Sequence, residues 1–187
     1  MLYLSGLEIN NSKKNEKLQF SNYSFWGKFF EYTLIIIMSL VLPLITFLNL
    51  VHKINNGGSL LWPTTYLIIT LSVFFLIIYS RIKSLQLKRV KGNSRSKNRT
   101  HINAIAEEMN WEILRHDQQI TILSKKWTWT STNWGRSIFI LYDKKDILIC
   151  CITYGKHQMI SPFHWFSNKK IEKKLVKKLQ ASFNFNP

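Results

Sequence analysis

Two uncharged apolar stretches, Tyr32 to Val51 and Leu60 to Ser80, constrain this chain more than any other feature. Each is about twenty residues long, and at ~1.5 Å rise per residue a helix of that length matches the ~30 Å hydrocarbon layer of a bilayer. A retained helical hairpin is expected rather than a cleaved leader. The first stretch begins only at Tyr32, exceeds the apolar core of a leader, and has no small-residue cleavage site after it. Neither stretch holds a charged residue in its interior, and Glu31 sits only at an edge. Ion pathways and proton relays need such groups at depth, which argues against a transporter or pump acting alone. A pore built from several copies stays open.

The chain carries a formal charge of +16 over 187 residues, and its distribution sets the expected orientation. Arg81, Lys83, Lys88, Arg89, Lys91, Arg95, Lys97 and Arg99 follow the second stretch without an acid among them, whereas the loop between the stretches has only Lys53. Lys and Arg close to a span favour the cytoplasmic side. The expectation is a multi-pass protein of the cell (inner) membrane, both termini cytoplasmic, with residues 52–59 as a short outside loop. Four segments follow: a cytosolic N-terminal segment 1–28, a transmembrane hairpin 29–80, a basic juxtamembrane linker 81–99, and a cytosolic domain 100–187 that binds a ligand or partner. Phe25, Trp26, Phe29, Phe30 and Tyr32 read as an interfacial aromatic belt. Ser39, Pro43 and Thr46 share one face of the first span, suited to packing on the second.

The cytosolic part reads as α+β: a helix, an antiparallel sheet of about four strands, and a C-terminal helix. Ile102, Ile105, Ala106 and Met109 recur at helical spacing over 98–110, with Asn98 or Thr100 as cap. Strands are expected at Trp111–Arg115, Gln119–Lys125, Ser137–Asp143 and Ile147–Tyr154, the last two joined by the polar turn Asp143-Lys144-Lys145-Asp146. A final helix runs from Ser167 or Asn168 to Gln180, with Ile171, Leu175 and Leu179 as its apolar row and Val176 alongside.

That helix carries Lys169, Lys170, Lys173, Lys174, Lys177 and Lys178 against the single acid Glu172. Three readings stand side by side: a solvated amphipathic face, a face for the membrane surface, and a binding face for an anionic nucleotide or nucleic acid. A second motif, Lys125-Lys126-Trp127-Thr128-Trp129-Thr130-Ser131-Thr132-Asn133-Trp134-Gly135-Arg136, interleaves tryptophans with cations and hydroxyls. Aromatic faces stack on bases while nearby cations hold phosphates. The plainer alternative is that the tryptophans fill the core and Gly135 permits a turn.

Signals for catalysis are sparse, and no catalytic residue, metal site or cofactor is expected. His101, His116, His157 and His164 lack zinc-like spacing, and there is no C-x-x-C, Walker loop or dinucleotide fingerprint. Asp143-Lys144-Lys145 matches the acid-x-Lys element of restriction-like nucleases only superficially, because no second carboxylate has a clear position. Cys150 and Cys151 are neighbours in an expected strand, so they point to opposite faces and read as buried thiols.

The spans Tyr32–Val51 and Leu60–Ser80, the basic linker Arg81–Arg99 and the small basic domain from Thr100 together resemble small prokaryotic membrane effectors of antiviral defence. Among these are CRISPR-associated proteins with a two-helix membrane part and a cytosolic domain that senses a cyclic oligoadenylate. The resemblance is one of architecture. It implies homo-oligomerisation, second-messenger binding and membrane disruption or depolarisation. On that reading Lys125, Lys126, Arg136, Lys170, Lys174 and Lys177 contact phosphates, and one or more of Trp127, Trp129 and Trp134 stack on bases. The alternative is a non-enzymatic membrane-anchored adaptor or scaffold that binds anionic lipid or an acidic protein partner.

Overall fold

A computed structural model of the chain describes residues 6–21, 25–125, 135–154 and 161–184. It divides into two compact units. Tyr23–Ile82 forms one, and the other joins the chain before that segment to the chain from Lys83 onward.

The first unit is a pair of helices, α2 (Phe25–Asn55) and α3 (Leu61–Lys83), preceded in the chain by the short α1 (Ile9–Lys14) of the other unit. Tyr32–Asn55 and Leu61–Lys83 are long and apolar enough to cross a membrane, and only 6% of each apolar window is buried within the chain. A core helix of a soluble domain would be mostly covered, so these surfaces call for lipid or another protein. The turn between them uses Gly57 at φ +66°, a conformation that costs glycine little. Thr46 Oγ1 meets Thr70 Oγ1 at 3.1 Å across the pair, as the small-and-polar face of the first span led one to expect. Pro43 is buried on that same face, and Arg81 lies 5.3 Å from the centre of the Tyr32 ring.

The second unit contains β1 (Lys88–Val90), α4 (Arg95–Glu108), β2 (Glu112–His116), β3 (Ile120–Lys125), β4 (Arg136–Asp143), β5 (Asp146–Thr153), a 3₁₀ turn (Pro162–His164) and α5 (Trp165–Asn184). The sheet has five strands in the order β1-β5-β4-β3-β2, every pair antiparallel. The expectation of about four strands is corrected by β1, which falls inside the segment 81–99 read as linker. Helix α4 also starts earlier than anticipated: Ser94 is its cap, accepting the Lys97 N–H, and Asn98 is buried within it.

Strands β4 and β5 are apolar almost without interruption because both faces of the sheet are covered. Ile138, Ile140 and Tyr142 of β4, with Ile147, Ile149 and Cys151 of β5, pack against Ile102, Ile105 and Ala106 of α4 and Leu175, Val176 and Leu179 of α5. The alternate set, Phe139, Leu141, Leu148, Cys150 and Ile152, is equally buried. It is met by the N-terminal segment, where Leu18 and Phe20 are buried and the Phe20 ring stands edge-on to Phe139 at 6.1 Å. Main-chain bonds from Leu18 N to Leu85 O (3.0 Å) and from Leu87 N to Glu16 O (2.9 Å) tie that segment to the chain leading into β1. Residues 6–21, within the segment 1–28 read as separate from the cytosolic domain, are thus part of this unit.

Candidate functional site

The site assembles where β3 ends and β4 begins. Lys125 and Arg136 are direct cross-strand partners, so their side chains leave the same face of the sheet. Like charges placed opposite each other repel, which makes this pair a local source of positive potential. Arg136 is half-buried: its Nε donates to Thr153 Oγ1 at 3.2 Å and one Nη donates to Ser167 Oγ at 2.8 Å. Thr153 Oγ1 in turn donates to Asn168 Oδ1 at 2.8 Å. Ser167 and Asn168 lie in the first turn of α5, so the guanidinium stands beside a helix N-terminus, itself equivalent to roughly half a positive charge. His164 precedes that turn, with Nδ1 2.7 Å from Ser161 Oγ. Burial, and then the nearby Arg136 charge, holds the His164 imidazole below its ordinary pKa.

One acid lies close by, and its charge is used internally. Strand β1 pairs only with Ile147–Ile149 of β5, which leaves the outer edge of β5 open from Cys151 onward. Glu172 closes it: Oε1 accepts the Cys151 N–H at 2.8 Å, and Oε2 accepts Lys169 Nζ at 2.7 Å. Ser161 N–H completes the edge by donating to Thr153 O at 2.9 Å. Burial pushes the Glu172 carboxyl above its usual pKa, and the Lys169 and Cys151 bonds pull the other way. Among the described residues no carboxylate pairs with Lys125 or Arg136.

Of the residues singled out from sequence, Lys125 and Arg136 are brought together. Lys170 is exposed on α5 one turn beyond Ser167, and Lys174 and Lys177 continue an exposed row with Lys173. Two other lysines of that helix are taken up elsewhere, Lys169 by Glu172 and Lys178 by Glu108. Lys126, Trp127, Trp129 and Trp134 lie outside the described residues. Sequence reasoning missed Thr153, Ser167, Asn168 and Glu172. The signal was present for Glu172, which sits at helical spacing with Leu175 and Leu179 and is therefore on the core side of a Lys-rich helix.

The acid-x-Lys element is accounted for differently. Asp143 and Asp146 each accept from Arg89 Nη1 at 2.9 Å, and Glu16 accepts from Arg89 Nε at 2.8 Å. A guanidinium therefore occupies the centre of these three carboxylates, and they hold its pKa well above the ordinary value. Among the described residues no group of His, Cys, Asp or Glu is placed to hold a metal ion. Cys150 and Cys151 are buried free thiols, the first donating to Ser84 O at 3.3 Å and the second 3.7 Å from Asn168 Oδ1. Burial raises both thiol pKa values, which keeps them protonated and unreactive. Comparison of the chain with protein-family models, curated proteins and solved structures gave no match.

Proposed function

We propose that this is a two-pass membrane protein whose α+β unit is a non-enzymatic receptor for an anionic nucleotide, acting as a membrane effector. The observation that carries this reading is the Lys125–Arg136 pair, set in direct register beside the start of α5 with no neutralising carboxylate among the described residues. A phosphate bridging the two cations relieves their repulsion and meets the helix N-terminus. Lys170 adds charge one turn away, Lys174 and Lys177 extend it, and the segment holding Lys126, Trp127, Trp129 and Trp134 begins and ends at this same sheet end, where aromatic stacking on bases would complement phosphate binding. A cyclic oligoadenylate is the ligand suggested by the architectural resemblance. Ligand binding drives membrane disruption or depolarisation only if the assembled homo-oligomer binds it more tightly than the resting form does, since equal affinity shifts nothing.

The membrane part of the reading draws support from the fold as well as from hydropathy. Residues 6–21 and the chain from Lys83 build one sheet unit, so both must lie on the same side of a bilayer. Crossing must therefore occur an even number of times, which suits α2 and α3 as a hairpin. The basic run Arg81–Arg99 then favours the cytoplasm for that side.

The test is calorimetry or fluorescence polarisation with labelled cyclic oligoadenylates on the full chain in detergent micelles. Micromolar binding that weakens with salt is expected. Lys125→Gln should lower it about tenfold, on the scale of one charge-assisted bond. No binding at micromolar protein in low salt would overturn the nucleotide reading.

A further inference from the structure

We propose that the exposed face of α5 docks onto an anionic lipid surface, with Phe163 and Phe166 entering the headgroup–acyl boundary and Lys173, Lys174 and Lys177 lying on headgroup phosphates. The inference rests on the membrane attachment argued above, and not on nucleotide binding at the Lys125–Arg136 pair, although Lys174 and Lys177 belong to both surfaces.

Phe166, Lys170, Lys173 or Lys174, and Lys177 recur at spacings of three and four, so they form one stripe along the helix. That stripe is turned away from Leu175 and Leu179, which are fully buried. Phe163 and Phe166 are 75% and 60% exposed. Apart from Ile113, they are the exposed large apolar side chains of this unit among the described residues. A soluble surface gains nothing from two neighbouring phenylalanines held in water, and such side chains mark an interaction site. Lys173, Lys174 and Lys177 have no carboxylate partner among the described residues, in contrast to Lys169 and Lys178 on the flanks. The two features together, an apolar wedge at one end and a row of cations behind it, are the pair of signals that stable attachment to anionic bilayers requires. The row runs along the outside of a helix, a convex surface that suits a broad sheet of phosphates. The unit also follows α3 directly in the chain, beginning at Lys83, so a bilayer holding α3 would be met at high effective concentration.

The test uses the full chain with Ala181→Cys carrying an environment-sensitive fluorophore. Ala181 is exposed on the same side of α5, and the native thiols are buried. The protein is reconstituted in nanodiscs of phosphatidylcholine alone or with one-third phosphatidylglycerol, each containing nitroxide lipid as quencher. Quenching is expected to be at least about threefold stronger in the anionic discs, and each lysine changed to glutamine should weaken docking about fivefold. The triple variant Lys173→Gln, Lys174→Gln, Lys177→Gln and the pair Phe163→Ser, Phe166→Ser should each return the signal to the level of the neutral discs. Lys125→Gln should leave it unchanged. Equal quenching in both lipids would overturn the docking. So would a triple variant that quenches normally yet loses binding to a soluble polyanion such as heparin, or to an acidic protein, since the row would then belong to that partner. A chain that fails to enter discs of either composition would overturn the anchoring and the docking together.

Discussion

His116 is held in one tautomer by its neighbours. Arg99 Nε–H donates to Nε2 at 3.1 Å, so Nδ1 carries the proton and donates to Thr121 Oγ1 at 2.8 Å. Thr121 Oγ1 lies 2.7 Å from the hydroxyl of Tyr142, whose pKa burial pushes up to about 12. Burial, and then the Arg99 charge, lowers the pKa of His116, and His164 moves in the same direction. A folded pKa below the unfolded one means stability that is present above roughly pH 6.5 and lost as pH falls through the folded value. Urea midpoints followed by tryptophan fluorescence in detergent should therefore drop between pH 7 and pH 5, and His116→Gln should make that slope shallower. Glu172 works with the opposite sign: its raised pKa contributes stability at low pH that is lost as pH rises through the folded value. Glu172→Ala should cost about 1–3 kcal/mol because the Cys151 N–H is left buried and unpaired, and Glu172→Gln should recover part of it through the amide oxygen. These contacts were beyond sequence reading for a definite reason. His116, Thr121 and Tyr142 come from three strands and Arg99 from a helix, and no local spacing reports that convergence.

At the scale of elements, long periodic or apolar segments were legible and short charged ones were not. The rows Ile102-Ile105-Ala106 and Ile171-Leu175-Leu179 announced α4 and α5, and the apolar runs announced β4 and β5. Strand β1 escaped because it has three residues, two of them the exposed cations Lys88 and Arg89, and its pairing with Ile147–Ile149 is entirely long-range. The connection after it is fastened by Asn98, whose Oδ1 accepts the Asn93 N–H at 2.8 Å and whose Nδ2 donates to Lys145 O at 3.1 Å. Read as a cap, this asparagine is instead a latch between α4 and the β4–β5 turn. Gly92 makes room for it, since a Cβ there would fall 2.6 Å from Lys145 O and 2.7 Å from Asn98 Nδ2. Gly92→Ala should therefore displace a main-chain carbonyl and lower stability by about 2 kcal/mol, read as a shift in denaturant midpoint. Of the site, Lys125 and Arg136 were recoverable from their flanking motif. Their direct register was not, because it depends on how β3 and β4 align.

For the whole molecule, the most consequential surprise is the role of residues 6–21. A segment rich in Asn, Ser and Lys offers too little apolar surface to fold by itself. Leu18 and Phe20 become meaningful only against a sheet face built from Phe139, Cys150 and their neighbours, more than one hundred residues later in the chain. Phe20→Ala should cost about 3–5 kcal/mol, the range for truncating a buried aromatic, measurable as a lowered urea midpoint. The two long apolar helices predict that alkaline carbonate leaves the protein in the membrane pellet and that detergent is needed to release it.

Because the opening strap of the sheet is translated before the two apolar helices and the strands after them, ribosomal synthesis cannot finish this unit in order. Residues 6–21 find their place only when β4 and β5 emerge, and on the proposed two-pass reading they would wait until the hairpin had been threaded into lipid. On that reading, an insertion error that stranded one helix on the wrong side would part residues 6–21 from their sheet. The mature fold would then be a record that threading went correctly, and a misthreaded copy would advertise itself to proteases through a bare apolar sheet face.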